Sequence, residues 1–258
     1  MVKYLLKKSY TRKDLKEINF KDLWDDHGVF TTMWIYGKPQ KVLFFKEHIS
    51  NLIKSTKAYK IYDQNLTNHV IKIIKSNIDD KKKYNHLLRI AVNKNIISIS
   101  LRDKIKIKKD LELKLVNYNR IKPEYKNLKY KFILKNLSKM DPTKSDIALC
   151  SKGNVLETGT SNIILVKNGK YYSPINKYYR GVNLRFFEKK FNINKLDINL
   201  KTIEQYDEIL LIGSGKGVAT VSSIKKNKWK RNNYKSYKKF FNIYKAQTLR
   251  QKSLSHYL

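Results

Sequence analysis

The sequence predicts a protein of the α/β (or α+β) class with two domains. Its 258 residues exceed the length of a typical single domain, which is roughly 100–150 residues. Short apolar runs typical of strands alternate along the chain with stretches in which apolar residues recur at helical spacing. A polar segment at 117–127, which contains Pro123, interrupts this alternation as linkers commonly do. We therefore predict an N-terminal α/β domain at 1–117, a linker at 118–128 and a C-terminal domain at 129–258.

The predicted N-terminal domain begins with a β-hairpin. Two runs of apolar and aromatic residues flank the turn Gly37-Lys38-Pro39, which favours a reversal of the chain. Two helical stretches follow, and then three β-like runs, the last of which alternates apolar residues with charges. The expected elements are strands at 29–36 and 42–45, helices around 48–53 and 70–74, and strands at 87–92, 96–101 and 105–116.

The predicted C-terminal domain combines strands with helices. An apolar helix opens it, a second helix follows near the middle, and the lysine-rich tail fits an amphipathic helix with Phe240, Phe241 and Tyr244 facing inward. The expected elements are helices at 132–140 and 184–191, strands at 147–149, 162–166, 171–172 and 209–212, and one further strand after the turn at 213–217.

The composition favours a folded protein with a basic surface. Hydrophobic residues make up 41% and aromatic residues 12% of the chain, which is enough apolar material for a large core. Lys and Arg number 56 against 21 Asp and Glu, giving a formal net charge of +35. Only eight of the 56 are Arg, the residue with which proteins read bases and phosphates bidentately, so the excess charge is typical of a solvated lysine surface.

A basic nucleic-acid-binding protein without catalysis is the alternative from another functional class. Its mark would be aromatic residues interleaved with Lys on one face, as the sequence at 225–240 allows, because bases stack on such residues. We prefer the amphipathic helix as the account of these residues and expect no nucleic-acid partner.

The cysteine content and the hydropathy pattern predict a cytoplasmic protein. Cys150 is the single cysteine, which excludes an internal disulfide and a cysteine-rich zinc site. The first residues lack the apolar stretch of a signal peptide, and nowhere does the sequence reach the run of about 18 apolar residues that a membrane helix needs. We expect no metal site and no membrane contact.

A glycine-rich turn is the first feature that could bind a ligand. The turn Gly213-Ser214-Gly215-Lys216-Gly217 follows a buried strand and places small residues where backbone amides can approach an anion. Its spacing is not that of a P-loop, because Gly217 rather than Ser or Thr follows Lys216. A hydroxyl beside flexible amides suits a phosphate monoester.

Glu157 is the second such feature. It stands at the end of an apolar strand and is followed by four small residues and then by Asn162, which opens another apolar strand. This spacing lets a carboxylate point into a crevice in which the small residues leave room for a flat ligand.

These segments occur in the order found in the class IV aminotransferases, and the sequence resembles that family from about residue 28 to about residue 224. The family's Glu-x-Gly/Ser-x-x-Asn segment is matched by Glu157-Thr158-Gly159-Thr160-Ser161-Asn162. The family comprises branched-chain aminotransferases, D-amino-acid aminotransferases and aminodeoxychorismate lyases. The other similar segments are Gly28-Val29-Phe30-Thr31-Thr32, Glu47-His48-Ile49-Ser50-Asn51-Leu52, Gly153-Asn154-Val155, Ser173-Pro174, Gly181-Val182-Asn183 and Gly213-Ser214 with Val218 and Val221.

The resemblance implies a fold, a cofactor and an assembly. Members have a small N-terminal α/β domain and a larger C-terminal domain built on a β-barrel-like sheet, with pyridoxal 5'-phosphate in the cleft between them. Two subunits complete each site. The resemblance therefore implies an enzyme that binds pyridoxal 5'-phosphate, acts on a small amino substrate and forms a homodimer.

The resemblance also implies a role for individual residues. Lys129 follows Pro123 by the interval seen in the lyases, so it is expected to form the Schiff base with the cofactor and to move the substrate's α-proton. Lys126 fits the spacing to Glu157 better and stays the alternative. The other expected roles are Glu157 at the pyridine nitrogen, the amides of Val182 and Asn183 with the hydroxyl of Ser214 at the phosphate, and Gly215 and Thr31 at the substrate.

Two positions depart from the common pattern or distinguish its branches. Asn51 stands where most members have the Arg that neutralises the phosphate, which predicts weaker cofactor binding because a charge-assisted hydrogen bond contributes roughly 1.5–3 kcal/mol. Thr31 stands where aminotransferases usually have Glu, whereas the lyases often read Phe-Thr-Thr. This favours aminodeoxychorismate lyase, which forms pyruvate and 4-aminobenzoate for folate synthesis, over a branched-chain or D-amino-acid aminotransferase.

Overall fold

The computed structural model describes residues 3–107 and 110–258, which divide into two compact units. The first unit comprises Met1–Lys104, Tyr125–Lys131 and Arg250–Leu258, and the second comprises Ile105–Glu124 and Phe132–Leu249. The chain therefore returns to the first unit twice. This division differs from the predicted domains at 1–117 and 129–258, because residues 105–117 belong to the second unit and 125–131 to the first.

The first unit is built on an antiparallel sheet that carries two helices. Its strands are β1 (Tyr4–Thr11), β2 (Glu17–Ile18), β3 (Gly28–Gly37), β4 (Lys41–Val42), β5 (Tyr84–Asn93) and β6 (Ile96–Asp103), and its helices are α1 (Phe45–Ala58) and α2 (Leu66–Asn77). The strand order is β2-β1-β6-β5-β3-β4. Leu52 of α1 and Val70 and Ile74 of α2, spaced as the sequence predicts for buried helix faces, share one core with Met33 and Ile90 of the sheet.

The predicted hairpin is present, but its second strand is shorter than expected. Lys41 and Val42 pair with β3, whereas Phe44 adopts a left-handed φ of 57° and α1 begins at Phe45. Leu43 and Phe45 are buried all the same, each 2% exposed. A short apolar run fits a strand and a buried helix start equally well, which is why the sequence pattern extended the strand too far.

The second unit contains a larger mixed sheet. Its strands are β7 (Leu111–Asn117), β8 (Ser145–Ser151), β9 (Asn154–Thr158), β10 (Asn162–Lys167), β11 (Lys170–Pro174), β12 (Ile193–Leu196), β13 (Ile198–Asn199), β14 (Glu208–Gly213) and β15 (Gly217–Ile224). The remaining helices are α3 (Lys131–Leu137), α4 (Val182–Glu188) and α5 (Lys235–Arg250). One 3-10 turn, Leu200–Gln205, lies in this unit, and another, Leu254–His256, lies in the first unit. The strand order is β12-β11-β10-β14-β15-β7-β8-β9-β13. Because Asp197 alone separates the two outermost strands, β12 and β13, the sheet curls until its ends approach each other, in the barrel-like form that the resemblance implies.

β7 is the element that sequence reasoning placed in the wrong sheet. Leu111–Asn117 pairs in parallel with both β8 and β15, so it lies inside the second sheet rather than extending the first. The predicted strand at 105–116 is also too long, since 105–107 lie outside any strand and 108–109 lie outside the described residues. Alternation along one strand does not reveal which strands it will pair with.

The C-terminal helix α5 is amphipathic, as predicted, with one exception. Phe240 is fully buried and Tyr244 is 5% exposed, whereas Phe241 is 41% exposed. Residues four apart share a helix face, but the next residue along is turned away by about 100°. In the described part of the chain, no helix has both the length and the hydrophobicity required to cross a bilayer.

Candidate active site

A buried arginine holds Glu157. Glu157 is the penultimate residue of β9 and pairs with Leu149 of β8, which confirms its predicted place at a strand end. Its Oε1 accepts a hydrogen bond from Nη1 of Arg120 at 2.8 Å, and the two side chains are 6% and 2% exposed. The amide of Tyr179 donates to Oε2 at 3.3 Å. The carboxylate is therefore buried, paired with a guanidinium and fixed in direction.

Asn162 fixes the chain that enters α4. Its side-chain oxygen accepts a hydrogen bond from the amide of Gly181 at 3.0 Å, and its side-chain nitrogen donates to the carbonyl of Tyr179 at 2.5 Å. A Cβ on Gly181 would lie 2.7 Å from Oδ1 of Asn162, so this close approach requires glycine. Glu157 and Asn162, the two ends of the sequence motif, thus hold the same segment at 179–181.

The turns at 158–161 and 213–217 are in direct contact. The first turn is closed by the amide of Thr158, which donates to the carbonyl of Ser161, and by the amide of Ser161, which donates to Oγ1 of Thr158, both at 2.9 Å. A Cβ on Gly213 would lie 2.8 Å from Oγ of Ser161 and 3.0 Å from the carbonyl oxygen of Thr160. No side chain larger than hydrogen fits at Gly213 without displacing one of the two turns.

Two buried polar side chains near these turns have no hydrogen-bond partner among residues 3–107 and 110–258. They are the hydroxyl of Ser161 and the amide of Asn183, in the first turn of α4. Asn183 is 3% exposed and Ser161 7%. Because buried polar groups are nearly always paired, these groups indicate a polar ligand. Val182, which is buried, precedes Asn183, and Ser214, which is half-buried, follows Gly213, which packs on Ser161. The hydroxyl and amide donors of these residues fit the phosphate of pyridoxal 5'-phosphate.

The segment that carries both candidate lysines belongs to the first unit and is paired with β3. The amide of Phe30 donates to the carbonyl of Lys126 at 2.8 Å, and the amide of Leu128 donates to the carbonyl of Gly28 at 2.9 Å. Leu128 is fully buried. These contacts fix the backbone of the segment. The choice between the two lysines therefore depends on the surroundings of their side-chain amines.

Lys129 and Lys126 have different surroundings. Lys129 is half-buried at the centre of a γ-turn, in which the amide of Tyr130 donates to the carbonyl of Leu128 at 2.7 Å. Its Nζ donates to the backbone carbonyl of Asp25. The Nζ of Lys126 lies over the ring of Phe30, 5.0 Å from the centroid. A neutral carbonyl holds the amine of Lys129 without an ion pair, so that amine can be released at little cost.

The remaining predicted residues also divide between the two units. Thr31 of β3 is 2% exposed, and its hydroxyl lies 2.8 Å from Nδ1 of His48 in α1. Asn51, on the same helix, is buried. Gly215 is half-buried beside Ser214. Lys129, Thr31 and Asn51 therefore lie in the first unit, and Glu157, Val182, Asn183, Ser214 and Gly215 in the second.

Arg120 is the site residue that sequence reasoning missed. It lies in the predicted linker, where a charged residue is expected to be solvated, yet its guanidinium is buried against Glu157. One signal was available: Arg120 is one of only eight arginines in a chain whose cations are otherwise lysine. Arg is preferred to Lys where a carboxylate is paired in a buried site.

The structure does not favour the nucleic-acid alternative. Trp229 is 2% exposed and donates its indole N–H to the carbonyl of Tyr206 at 2.7 Å. Phe240 packs against Phe187 and Phe191 with centroid distances of 4.6 and 4.5 Å. These aromatic side chains belong to the core, so they offer no surface on which bases could stack.

Comparison with known proteins finds one family that matches most of the chain. The sequence profile of the family described as "Amino-transferase class IV" matches residues 28–224, most of the chain. That range contains Arg120, Lys129, the segment from Glu157 to Asn162 and the turn at 213–217. No curated protein matches the chain in sequence.

Solved structures of the family share the fold at low sequence identity. A branched-chain aminotransferase from the archaeon Thermoproteus uzoniensis, solved with norvaline, is 16% identical, with a TM-score of 0.71 over 92% of this chain and 93% of that one. A Legionella pneumophila protein provisionally assigned as a 4-amino-4-deoxychorismate lyase is 18% identical, with a TM-score of 0.69 over 86% and 91%. A hypothetical aminotransferase from Mycobacterium tuberculosis in its PLP-bound form is 14% identical, with a TM-score of 0.69 over 97% and 100%.

The profile match spans both units, and the buried Glu157, the glycine-limited turns and the unpaired polar groups lie within it. The chain belongs to the class IV aminotransferases, a family of enzymes that depend on pyridoxal 5'-phosphate.

Proposed function

We propose that this enzyme is an aminodeoxychorismate lyase, which converts 4-amino-4-deoxychorismate to pyruvate and 4-aminobenzoate. The observation that carries the proposal is the Thr31–His48 pair. Thr31 takes the place at which aminotransferases of the family usually have Glu, and its hydroxyl is buried 2.8 Å from Nδ1 of His48. A hydroxyl rather than a carboxylate at this position supports the lyase, because the lyases often read Phe-Thr-Thr where the aminotransferases have Glu.

The second unit would bind the cofactor. Pyridoxal 5'-phosphate supplies, when bound, a ring that withdraws electrons from the carbon bearing the substrate's amino group. Glu157, paired with Arg120, would accept a hydrogen bond from the protonated ring nitrogen. The hydroxyl of Ser214, the amides of Val182 and Asn183 and the unpaired side-chain nitrogen of Asn183 would donate to the phosphate.

Lys129 would carry the proton chemistry. Its Nζ is the group that would hold the cofactor covalently, and with substrate bound it would be available as a free amine. The free amine removes the proton from the carbon that bears the amino group. The electron pair of that C–H bond forms the last double bond of the aromatic ring, and the C–O bond to the enolpyruvyl group breaks. The ammonium of Lys129 then protonates the departing enolate, which leaves as pyruvate, while the amide of Gly215 binds a substrate carboxylate.

The proposal is tested with the cofactor-loaded protein and 4-amino-4-deoxychorismate. We expect 4-aminobenzoate and pyruvate to appear in equal amounts, measured by chromatography and by a coupled lactate dehydrogenase assay. The Lys129→Ala variant, prepared in the same way, should form neither product above the uncatalysed rate.

Aminotransferase activity would overturn the assignment as a lyase. It would use the same Lys129 and Glu157 but transfer the amino group to the cofactor, which is seen as a change in the absorption spectrum in a single half-reaction. A rapid half-reaction with leucine, valine or D-alanine, together with no formation of 4-aminobenzoate, would assign the enzyme to the aminotransferases.

A homodimer in the cytoplasm completes the proposal. The free thiol of Cys150, buried at 5% exposure, is compatible with a reducing compartment. Light scattering of the purified enzyme should give twice the mass of the chain, and a monomer with full activity would contradict the dimer.

A further inference from the structure

A buried ion pair anchors the glycine-rich turn. Nζ of Lys216 lies 2.9 Å from Oδ2 of Asp146 in β8, and the side chains are 12% and 0% exposed. The same carboxylate oxygen accepts hydrogen bonds from the hydroxyls of Thr158 and Thr160, both at 3.0 Å. Lys216 Nζ also donates to Oγ1 of Thr160. A fully buried carboxylate is thus neutralised by a lysine that comes from the turn.

These contacts connect two turns that both adjoin the proposed phosphate site. Thr158 and Thr160 belong to the turn at 158–161, and Gly213 packs directly on Ser161 of that turn. Three of the five residues at 213–217 are glycine, which leaves that turn with high conformational freedom. Lys216 is its single long side chain, and through Asp146 that side chain joins the turn to β8.

The pair acts through geometry rather than through charge. The charges of Lys216 and Asp146 are opposite and lie 2.9 Å apart, so their electrostatic fields largely cancel beyond the pair. Lys216 therefore adds little net positive field to the turn. Ordering a flexible turn before a ligand arrives removes the entropy cost of ordering it afterwards.

We propose that Lys216 is a positioning residue that holds Ser214 and Gly215 in the orientation needed for the cofactor phosphate and the substrate carboxylate. The inference rests on the proposed role of Ser214 at the phosphate. It assigns to Lys216 and Asp146 a function beyond stability: without the pair, the enzyme keeps its fold but binds phosphate-bearing ligands poorly.

A comparison of two aldehydes separates this role from a purely structural one. Pyridoxal and pyridoxal 5'-phosphate react with the same lysine, and only the second carries the phosphate. Dissociation constants of both are measured on the cofactor-free full chain by absorbance. Lys216→Met should weaken binding of pyridoxal 5'-phosphate about tenfold or more and that of pyridoxal less than about threefold. Lys216→Arg, which can keep the ion pair, should leave both constants within about threefold of the wild type.

Lys195→Met is the matched control. It removes another lysine of the second unit that pairs with a carboxylate, that of Glu188, away from the glycine-rich turn. Both constants should stay within about threefold of the wild type. If Lys216→Met fails to fold, because Asp146 is left buried and unpaired, the double variant Asp146→Asn/Lys216→Met removes both charges and should show the same selective loss.

Two results would overturn the inference. The first is an equal weakening for the two aldehydes, which would make Lys216 purely structural, and the second is unchanged affinity for pyridoxal 5'-phosphate in Lys216→Met or in the double variant. Failure of the wild-type protein to bind either aldehyde would instead contradict the proposed function.

Discussion

The two units hold their candidate site residues by different means. In the second unit, Glu157 is fixed by a buried guanidinium and a backbone amide, and neighbouring turns approach so closely that glycine is required. In the first unit, Lys129 is positioned by its backbone, while its amine donates to the backbone carbonyl of Asp25. Groups that bind a ligand benefit from a fixed geometry, whereas a lysine that must form and release a bond needs a side chain that can move.

This contrast separates the expected effects of substitution. Substitution of the buried pair Arg120–Glu157 should alter stability and cofactor affinity together, because this binding group is also a buried structural group. Changes at the lysine should alter chemistry and leave the fold intact.

The largest expected effect is that of Lys129→Ala. The variant should lose covalent attachment of the cofactor and at least about a thousandfold in turnover, since it removes both the attachment point and the proton carrier. Its free energy of unfolding should stay within about 0.5 kcal/mol of the wild type, because the side chain is half-buried without an ion pair. Borohydride reduction followed by peptide mass spectrometry locates the modified lysine.

Lys126→Ala is the control for this experiment. Lys126 contacts the ring of Phe30, so its loss should leave the modified peptide and the turnover nearly unchanged. A modified Lys126 in the wild type, or retention of the adduct in Lys129→Ala, would exchange the roles of the two residues.

Arg120→Met should have the next largest effect, and we expect it mainly on the free energy of unfolding. Removing the guanidinium takes away the buried cation that pairs with Glu157. Breaking a buried ion pair typically costs about 3–5 kcal/mol of the free energy of unfolding, which is measured by urea titration. The double variant Arg120→Met/Glu157→Gln should regain part of that loss, because neither charge remains.

Arg180→Met provides the comparison for Arg120. Arg180 pairs with Glu188 at 2.7 Å, but its side chain is 60% exposed. Its loss should therefore cost less than about 1 kcal/mol. Equal destabilisation by the two variants would show that the Arg120–Glu157 pair does not behave as a buried one.

The same contrast explains what the sequence predicts of the site and what it does not. Glu157 and Asn162 were predictable because their motif is six consecutive residues whose roles depend on local spacing. Arg120 was not predictable, because it lies 37 residues before Glu157 in the sequence. The polar segment that contains it is typical of a linker. Partners brought together by the fold leave no mark in a local pattern.

The limits of the fold prediction have the same origin. The sequence predicts most strands and helices from periodicity, but the placement of β7 depends on its parallel partners β8 and β15, which no pattern within 105–116 specifies. The sequence predicts the segment at 125–131 as the end of the linker and the beginning of the C-terminal domain. Its pairing with β3 is made through backbone groups that every residue shares, so no side-chain pattern indicates it. Phe241 was assigned inward because a cluster of aromatic residues does not say which member faces solvent.

Cys150 provides the test with the smallest disturbance, because it requires no substitution. It lies in β8 of the second unit, and burial raises the pKa of its thiol to about 11. The thiolate is the reactive form of cysteine, and its population rises with pH. At pH 8, a pKa of about 11 leaves roughly 0.1% of the thiol ionised, against about 10% for an exposed thiol with the ordinary value of 9.0.

Labelling by a disulfide reagent at pH 8 should therefore be at least about a hundredfold slower in the native enzyme than in urea, and it should keep accelerating up to about pH 11. Saturating pyridoxal 5'-phosphate should slow it further, because a ligand that binds the folded form suppresses opening. Rapid native labelling that is indifferent to the cofactor would mean that β8 opens readily, and the second unit would then not hold its candidate site residues rigidly.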